Sequence, residues 1–164
     1  MSSRQLIIIG GIVLATVVVF LVLRPSDEAK ILKKLNLMAE YCTTQQQEPA
    51  MVTLQKVSSA AKLCTDPCLV KVDSEKVDQE FSRKEISDRV LMLKKRLIGT
   101  TFTFYDTSFT SLEGNNAALT TTLRLNRKTV DGRIADAYEL DITAKKIEGK
   151  WLFSSFAVVE FVER

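Results

Sequence analysis

Residues 116–126, Asn-Ala-Ala-Leu-Thr-Thr-Thr-Leu-Arg-Leu-Asn, decide the fold class. Ala117, Leu119, Thr121, Leu123 and Leu125 fall on one parity. Ala118, Thr120, Thr122, Arg124 and Asn126 fall on the other, the period of two expected of an extended chain with one buried face. Glu113-Gly114-Asn115-Asn116 divides this strand from an earlier one containing Phe102, Phe104 and Phe109. Downstream, Asp131-Gly132 is a hairpin signal, and Tyr138, Leu140, Ile142 and Ala144 line one face of a further strand. Glu148-Gly149-Lys150 then turns the chain into residues 151–162, apolar on both faces for much of their length, as a central strand would be. From Thr100 onward the chain predicts a four-stranded antiparallel meander.

Upstream the period is helical. Ile31, Leu35, Met38 and Cys42 are spaced by four, three and four, behind Ser26 as N-cap with Asp27 and Glu28 in the first turn. Pro49 suits the start of a second helix whose stripe is Met51, Leu54, Val57, Ala61 and Cys64, and Asp66-Pro67 stops it. Residues 68–72 (CLVKV) read as a short strand and residues 73–81 as a loop with a helical turn. Ser82 and Glu85 form a capping box for a third helix, with Ile86, Val90, Leu93 and Leu97 inward. Lys94-Lys95-Arg96 form its solvated, dipole-favoured end, and Gly99 stops it. The fold class is therefore α+β: three helices packed on one face of a curved antiparallel sheet.

A different solvent is implied before Pro25. From Leu6 to Leu23 the chain runs for 18 residues without a charge. As a helix that run covers about 27 Å, close to the hydrocarbon thickness of a bilayer. Arg4 and Arg24 bracket it and can reach the two interfaces. The run is longer than the apolar region of a signal peptide, and no small-x-small cleavage site follows it. The expected organisation is an N-terminal transmembrane anchor over residues 1–25 and one soluble domain over residues 26–164, with the lipid bilayer as a partner through Leu6 to Leu23. Counting Arg24, Lys30, Lys33 and Lys34 would hold the domain in the cytoplasm. Those lysines belong to a folded domain and lie beside Asp27 and Glu28, and the tail before the run is very short. The expectation is a single-pass protein of the inner membrane with its soluble domain in the periplasm.

A net charge of +3 gives no reason to expect nucleic acid. With no histidine and only three cysteines there is no tetrahedral metal set, and nothing in the sequence asks for a cofactor. Cys64 and Cys68, separated by Thr-Asp-Pro, are a possible local disulfide that leaves Cys42 over. Cys42 and Cys64 otherwise read as small apolar core residues.

Two segments carry a family resemblance. One is the capped helix start Ser82-Arg83-Lys84-Glu85-Ile86 following the CLVKV strand. The other is the ending Ala144-Lys145-Lys146-Ile147-Glu148-Gly149-Lys150-Trp151-Leu152-Phe153, a strand, a Gly-containing turn and a Trp-Leu strand opening. In this order they resemble the nuclear transport factor 2-like superfamily, the cystatin-like α+β cone, over residues 27–164. The resemblance implies a cone closed by Trp151, but not an activity, because this fold hosts enzymes, ligand binders and scaffolds alike. Its isomerases and dehydratases use an Asp or His in the cone, often with a Tyr. Without histidine a His–Asp dyad is excluded, leaving Asp106, Asp136, Glu139 and Asp141 as carboxylates to weigh. Glu139 and Asp141 fall on the outer parity. Asp106 shares the parity of Phe102 and Phe104 and points inward if the strand continues without a bulge. Asp106, Tyr105 and the inward hydroxyl of Thr121 are the ligand-binding candidates.

So few inward polar groups favour a non-enzymatic accessory or assembly module, binding another protein or a second copy through its sheet or cone mouth. The alternative is a small-molecule binder or a cyclase- or isomerase-like enzyme. It needs an open cavity containing Asp106, whereas Phe102, Phe104, Phe109, Trp151, Phe153 and Phe156 could fill that space.

Overall fold

Long strands with one apolar face need a second layer to bury it, and the amphipathic helices supply one. The computed structural model describes residues 25–72, 77–129 and 132–162. These form helices α1 (Asp27–Cys42), α2 (Ala50–Ala61) and α3 (Arg83–Arg96), and strands β1 (Cys64–Val72), β2 (Val77–Phe81), β3 (Thr100–Glu113), β4 (Asn116–Thr129), β5 (Gly132–Ile147) and β6 (Lys150–Val162). The expected anchor at residues 6–23 lies outside the described residues. Among the described residues no helix is long and apolar enough to cross a membrane.

The helix ends follow their local chemistry. Ser26 Oγ accepts from the Ala29 amide at the start of α1. At α3 the capping box is complete: Ser82 Oγ accepts from the Glu85 amide, and the Glu85 carboxylate accepts from the Ser82 amide at 2.8 Å. Gly99, at φ +76°, ends the turn after α3.

The sheet corrects the expected all-antiparallel arrangement. Its order is β2-β1-β6-β5-β4-β3, and β1 runs parallel to β6. Two helices precede β1, and one helix with four strands separates it from β6, so the chain has room for the crossover that parallel neighbours need. The sheet is therefore mixed. Part of the predicted loop at 73–81 is also a strand: β2 pairs antiparallel with β1, from Cys68↔Phe81 to Val72↔Val77. Of the hairpin turns, Glu148-Gly149 has both residues at positive φ, as a tight two-residue turn demands, while Asp131 lies outside the described residues.

Bulges bend these strands into a cone. In β6 an extra residue at Ser154 switches parity, so Trp151 and Phe153 before it and Phe156 and Val158 after it join the same core. That switch is why β6 looks apolar on both faces. As expected, β6 is central, between β1 and β5.

The core lies between the helices and the concave face. Ile31, Leu35, Leu119, Ile142, Trp151 and Phe153 are completely buried. A side chain the size of Ile31 or Phe153 contributes about 2 kcal/mol by leaving water. Ala117, Thr121, Leu140 and Ala144 are buried on the expected parity, and Glu139 and Asp141 are exposed on the other. The α2 stripe is displaced: Val57, Ala60 and Ala61 are buried, whereas Met51 and Leu54 are exposed.

Candidate functional site

Thr121 is the inward hydroxyl predicted from β4, and it is buried. Its Oγ1 donates to the Tyr105 carbonyl at 3.0 Å and lies 2.8 Å from Thr107 Oγ1. Both partners belong to a bulge in β3, where Asp106 and Thr107 together oppose Thr121 and register shifts between Tyr105 and Ser108. Asp106 takes φ +50° there and is exposed, which corrects its inward expectation: the extra residue turns its side chain out. The three candidates are thus brought together, but as a stitch that holds a bulge.

The cone behind them is packed. Trp151 and Phe153 are buried at its centre, Phe104, Phe109 and Phe156 pack against that core, and Phe102 is buried elsewhere on β3. The chemistry the alternative reading needs, a carboxylate inside an open cone, is not what these residues build.

The larger concavity lies at the rim, beyond the C-terminal end of α1. A groove of about 760 Å³ is lined by the 44–46 loop, Gly99, Thr101, Tyr105, Arg124, Asn126 and Arg127. The Arg124 guanidinium stacks 5.0 Å from the centre of the Tyr105 ring. No acidic residue lines the groove, and neither arginine has a carboxylate within 4.0 Å among the described residues. Planar guanidinium forks beside an exposed aromatic ring and amide side chains are suited to bind carboxylate or phosphate oxygens. The groove lining holds no carboxylate and no cysteine.

The wall of this groove is fixed from behind. The Thr44 amide donates to the Thr100 carbonyl at 3.0 Å, Thr44 Oγ1 accepts from the Thr100 amide at 3.2 Å, and the same hydroxyl donates to the Leu97 carbonyl. Lys94 is only 3% exposed. Its ammonium donates to the carbonyls of Tyr41 (3.1 Å) and Thr43 (2.8 Å) and pairs with Glu48 Oε2 at 3.1 Å. Lys56 and Thr53 also donate to the Glu48 carboxylate. Burial pushes that carboxyl up, but the bonds from Lys56, Lys94 and Thr53 outweigh it and hold the group at about 2. This network corrects the reading of Lys94 as part of a solvated helix end. The signal was available: Lys94 lies eight residues after Ile86 and four after Val90, on the inward face of α3, and Glu48 is the one acid in the polar loop before Pro49.

The cysteines converge in the core. All three are free thiols, and Cys64 and Cys68 are both buried. Their sulfurs are close enough to hydrogen-bond, and that contact, followed by burial, pushes Cys64 above the ordinary thiol range. Burial pushes Cys42 to about 11, against the pull of the Lys94 ammonium. No three described Cys, Asp or Glu side chains are placed to hold a metal ion.

With three helices over a curved mixed sheet, the closed cone invites comparison with solved structures. A nuclear transport factor 2-like protein with a cystatin-like fold from Novosphingobium aromaticivorans superposes with a TM-score of 0.65 at 12% identity, covering 90% of this chain and 88% of that one. The domain has the nuclear transport factor 2-like, cystatin-like fold. A cystatin-like-fold protein of unknown function from Nostoc punctiforme is similar at TM-score 0.65 and 12% identity, with 83% and 91% of the two chains covered. A protein of unknown function from Mycobacterium tuberculosis is similar at 0.61 and 16%, with 82% and 72% covered. No family model and no curated protein matches the sequence. At these identities the likeness is one of nuclear transport factor 2-like architecture, and activity has to be argued from this chain's own rim and core.

Proposed function

We propose that this chain is a membrane-anchored, non-enzymatic accessory module that grips an acidic segment of another protein in its rim groove. One observation carries the reading: the cone is packed with aromatic side chains, while the broad concavity beside it presents Arg124, Arg127 and Tyr105 with no acid in its lining. Residues 6–23 are the anchor in this reading, and residues 26–164 project on the periplasmic side. There an oxidising environment would join Cys64 to Cys68, two buried thiols that influence one another's ionisation.

The test places a photo-crosslinking residue at Gln46, on the groove wall, in the full chain in its own membranes. Adducts to a second polypeptide that disappear in Arg124→Glu/Arg127→Glu support the reading. Adducts that survive both reversals, or none at all, defeat it. A C-terminal reporter active only outside the cytoplasm is the expected companion result, with Cys64 and Cys68 reactive to maleimide only after unfolding and reduction.

A further inference from the structure

The first turns of α1 and the β5–β6 turn lie together at the end of the domain remote from the rim groove. Lys146 joins them: its amide donates to the Asn115 carbonyl at 2.8 Å, and its ammonium pairs with Asp27 at 2.9 Å. Lys30 takes the other oxygen of Asp27 at 2.8 Å, so that carboxylate is fully engaged. Lys33, Lys34, Lys145 and Lys150 have no carboxylate within 4.0 Å among the described residues. Lys34 is half-buried, with Lys150 close enough to repel its charge. Helix side chains lean toward the helix N-terminus, so the ammonium groups of α1 incline toward this end. Ile147 is exposed at the hairpin tip, between Lys145 and Lys150. Glu28 and Glu148 are also exposed here, and the lysines outnumber them.

We infer that this end of the domain is itself a membrane-contacting surface, on which Lys33, Lys34, Lys145 and Lys150 meet anionic lipid headgroups and Ile147 enters the interface. The inference rests on the anchor reading of residues 6–23. Only two residues separate Arg24 from Asp27, three steps with a reach of about 10 Å, so a chain leaving the bilayer there delivers this end to the headgroups. Ammonium groups that outnumber the acids around them, with Lys34 and Lys150 repelling one another, are relieved by phosphate oxygens, and the tether keeps them at high effective concentration. Docked this way, α1 stands away from the bilayer and carries the rim groove about 24 Å above the surface.

Trp151 reports on the contact, because it is the chain's single tryptophan and sits over the Lys146 ammonium. The full chain is reconstituted into vesicles carrying a dansyl-headgroup lipid, and energy transfer from Trp151 is read. Transfer should be about two-fold higher in phosphatidylglycerol-rich vesicles than in phosphatidylcholine alone. High salt should abolish the difference, as should Lys33→Glu/Lys145→Glu/Lys150→Glu, with far-UV circular dichroism unchanged. The milder Lys→Gln set should reduce it if the reversals disturb folding. Equal transfer in both vesicle types, or an excess that survives salt and substitution, overturns the lysine surface while flotation with neutral vesicles leaves the anchor standing. Failure to float with neutral vesicles overturns both.

Discussion

Lys94 shows how much one side chain can organise. Its ammonium holds two carbonyls of the 41–43 segment and one oxygen of Glu48, and so fixes the wall of the rim groove. Lys94→Met removes the cation and leaves the Glu48 carboxylate and two carbonyls short of a donor. The expected loss is about 3 kcal/mol, read from urea unfolding. Lys94→Met with Glu48→Gln should recover part of it, since no charge is then stranded. The same network predicts an acid limb to stability. Glu48 titrates near 4.5 when unfolded and near 2 when folded, so the unfolded chain binds the proton first as pH falls. Its contribution is complete above the unfolded value and fades as pH drops from about 4.5 toward 2. Urea midpoints followed down that range should fall less steeply for Glu48→Gln than for the natural chain. Asp27, held low by Lys30 and then Lys146, adds a slope in the same direction that this substitution leaves in place.

Among the elements, β3 separates what periodicity can convey from what it cannot. Alternation assigned the inward residues of β4 and β5 because their pairing with one another runs without a shift from Asn116↔Lys145 to Thr129↔Gly132. It misplaced Asp106 because a bulge adds one residue and reverses every parity beyond it. No residue type at 105–107 announces that. The bulge makes a direct prediction: Asp106→Gly keeps or slightly raises stability, while Asp106→Val costs about 1–2 kcal/mol by forcing a branched side chain to positive φ. A catalytic or ligand-holding Asp106 would instead lose function in both variants. Thr121→Val should cost about 1–2 kcal/mol through the two lost hydroxyl contacts, measured by thermal unfolding. β2 and the parallel β1–β6 pair were hidden for another reason. β1 and β6 are far apart in sequence, and VDQEF, though close to its partner β1, has no apolar alternation to mark a strand.

For the molecule as a whole, the sequence conveyed the order of layers and the plugged core, because both follow from apolar spacing along single elements. The rim groove was not legible. It brings together a loop after α1, the residue before β3 and two arginines of opposite parity on β4, which share no motif and meet only through long-range pairing. The proposed anchor is tested at this scale too. Removing residues 1–24 should release the chain from membranes that resist carbonate extraction, while far-UV circular dichroism retains the domain's α+β signature. A truncated chain that stays in the pellet would break the assignment of Leu6 to Leu23 as the anchor.

If residues 6–23 anchor the chain as proposed, its copies share a plane, where collisions are frequent. β3 is the strand at one border of the sheet, and an uninterrupted border of 14 residues would let neighbours zip into a ribbon. The border is broken instead. Thr43 and Thr44 occupy its first hydrogen-bonding groups, and register shifts after Tyr105 and after Phe109 divide the remainder into runs of two or three residues. Along β3, crowded copies thus find no template long enough to polymerise on, and the kink at Asp106 serves as insurance against self-assembly.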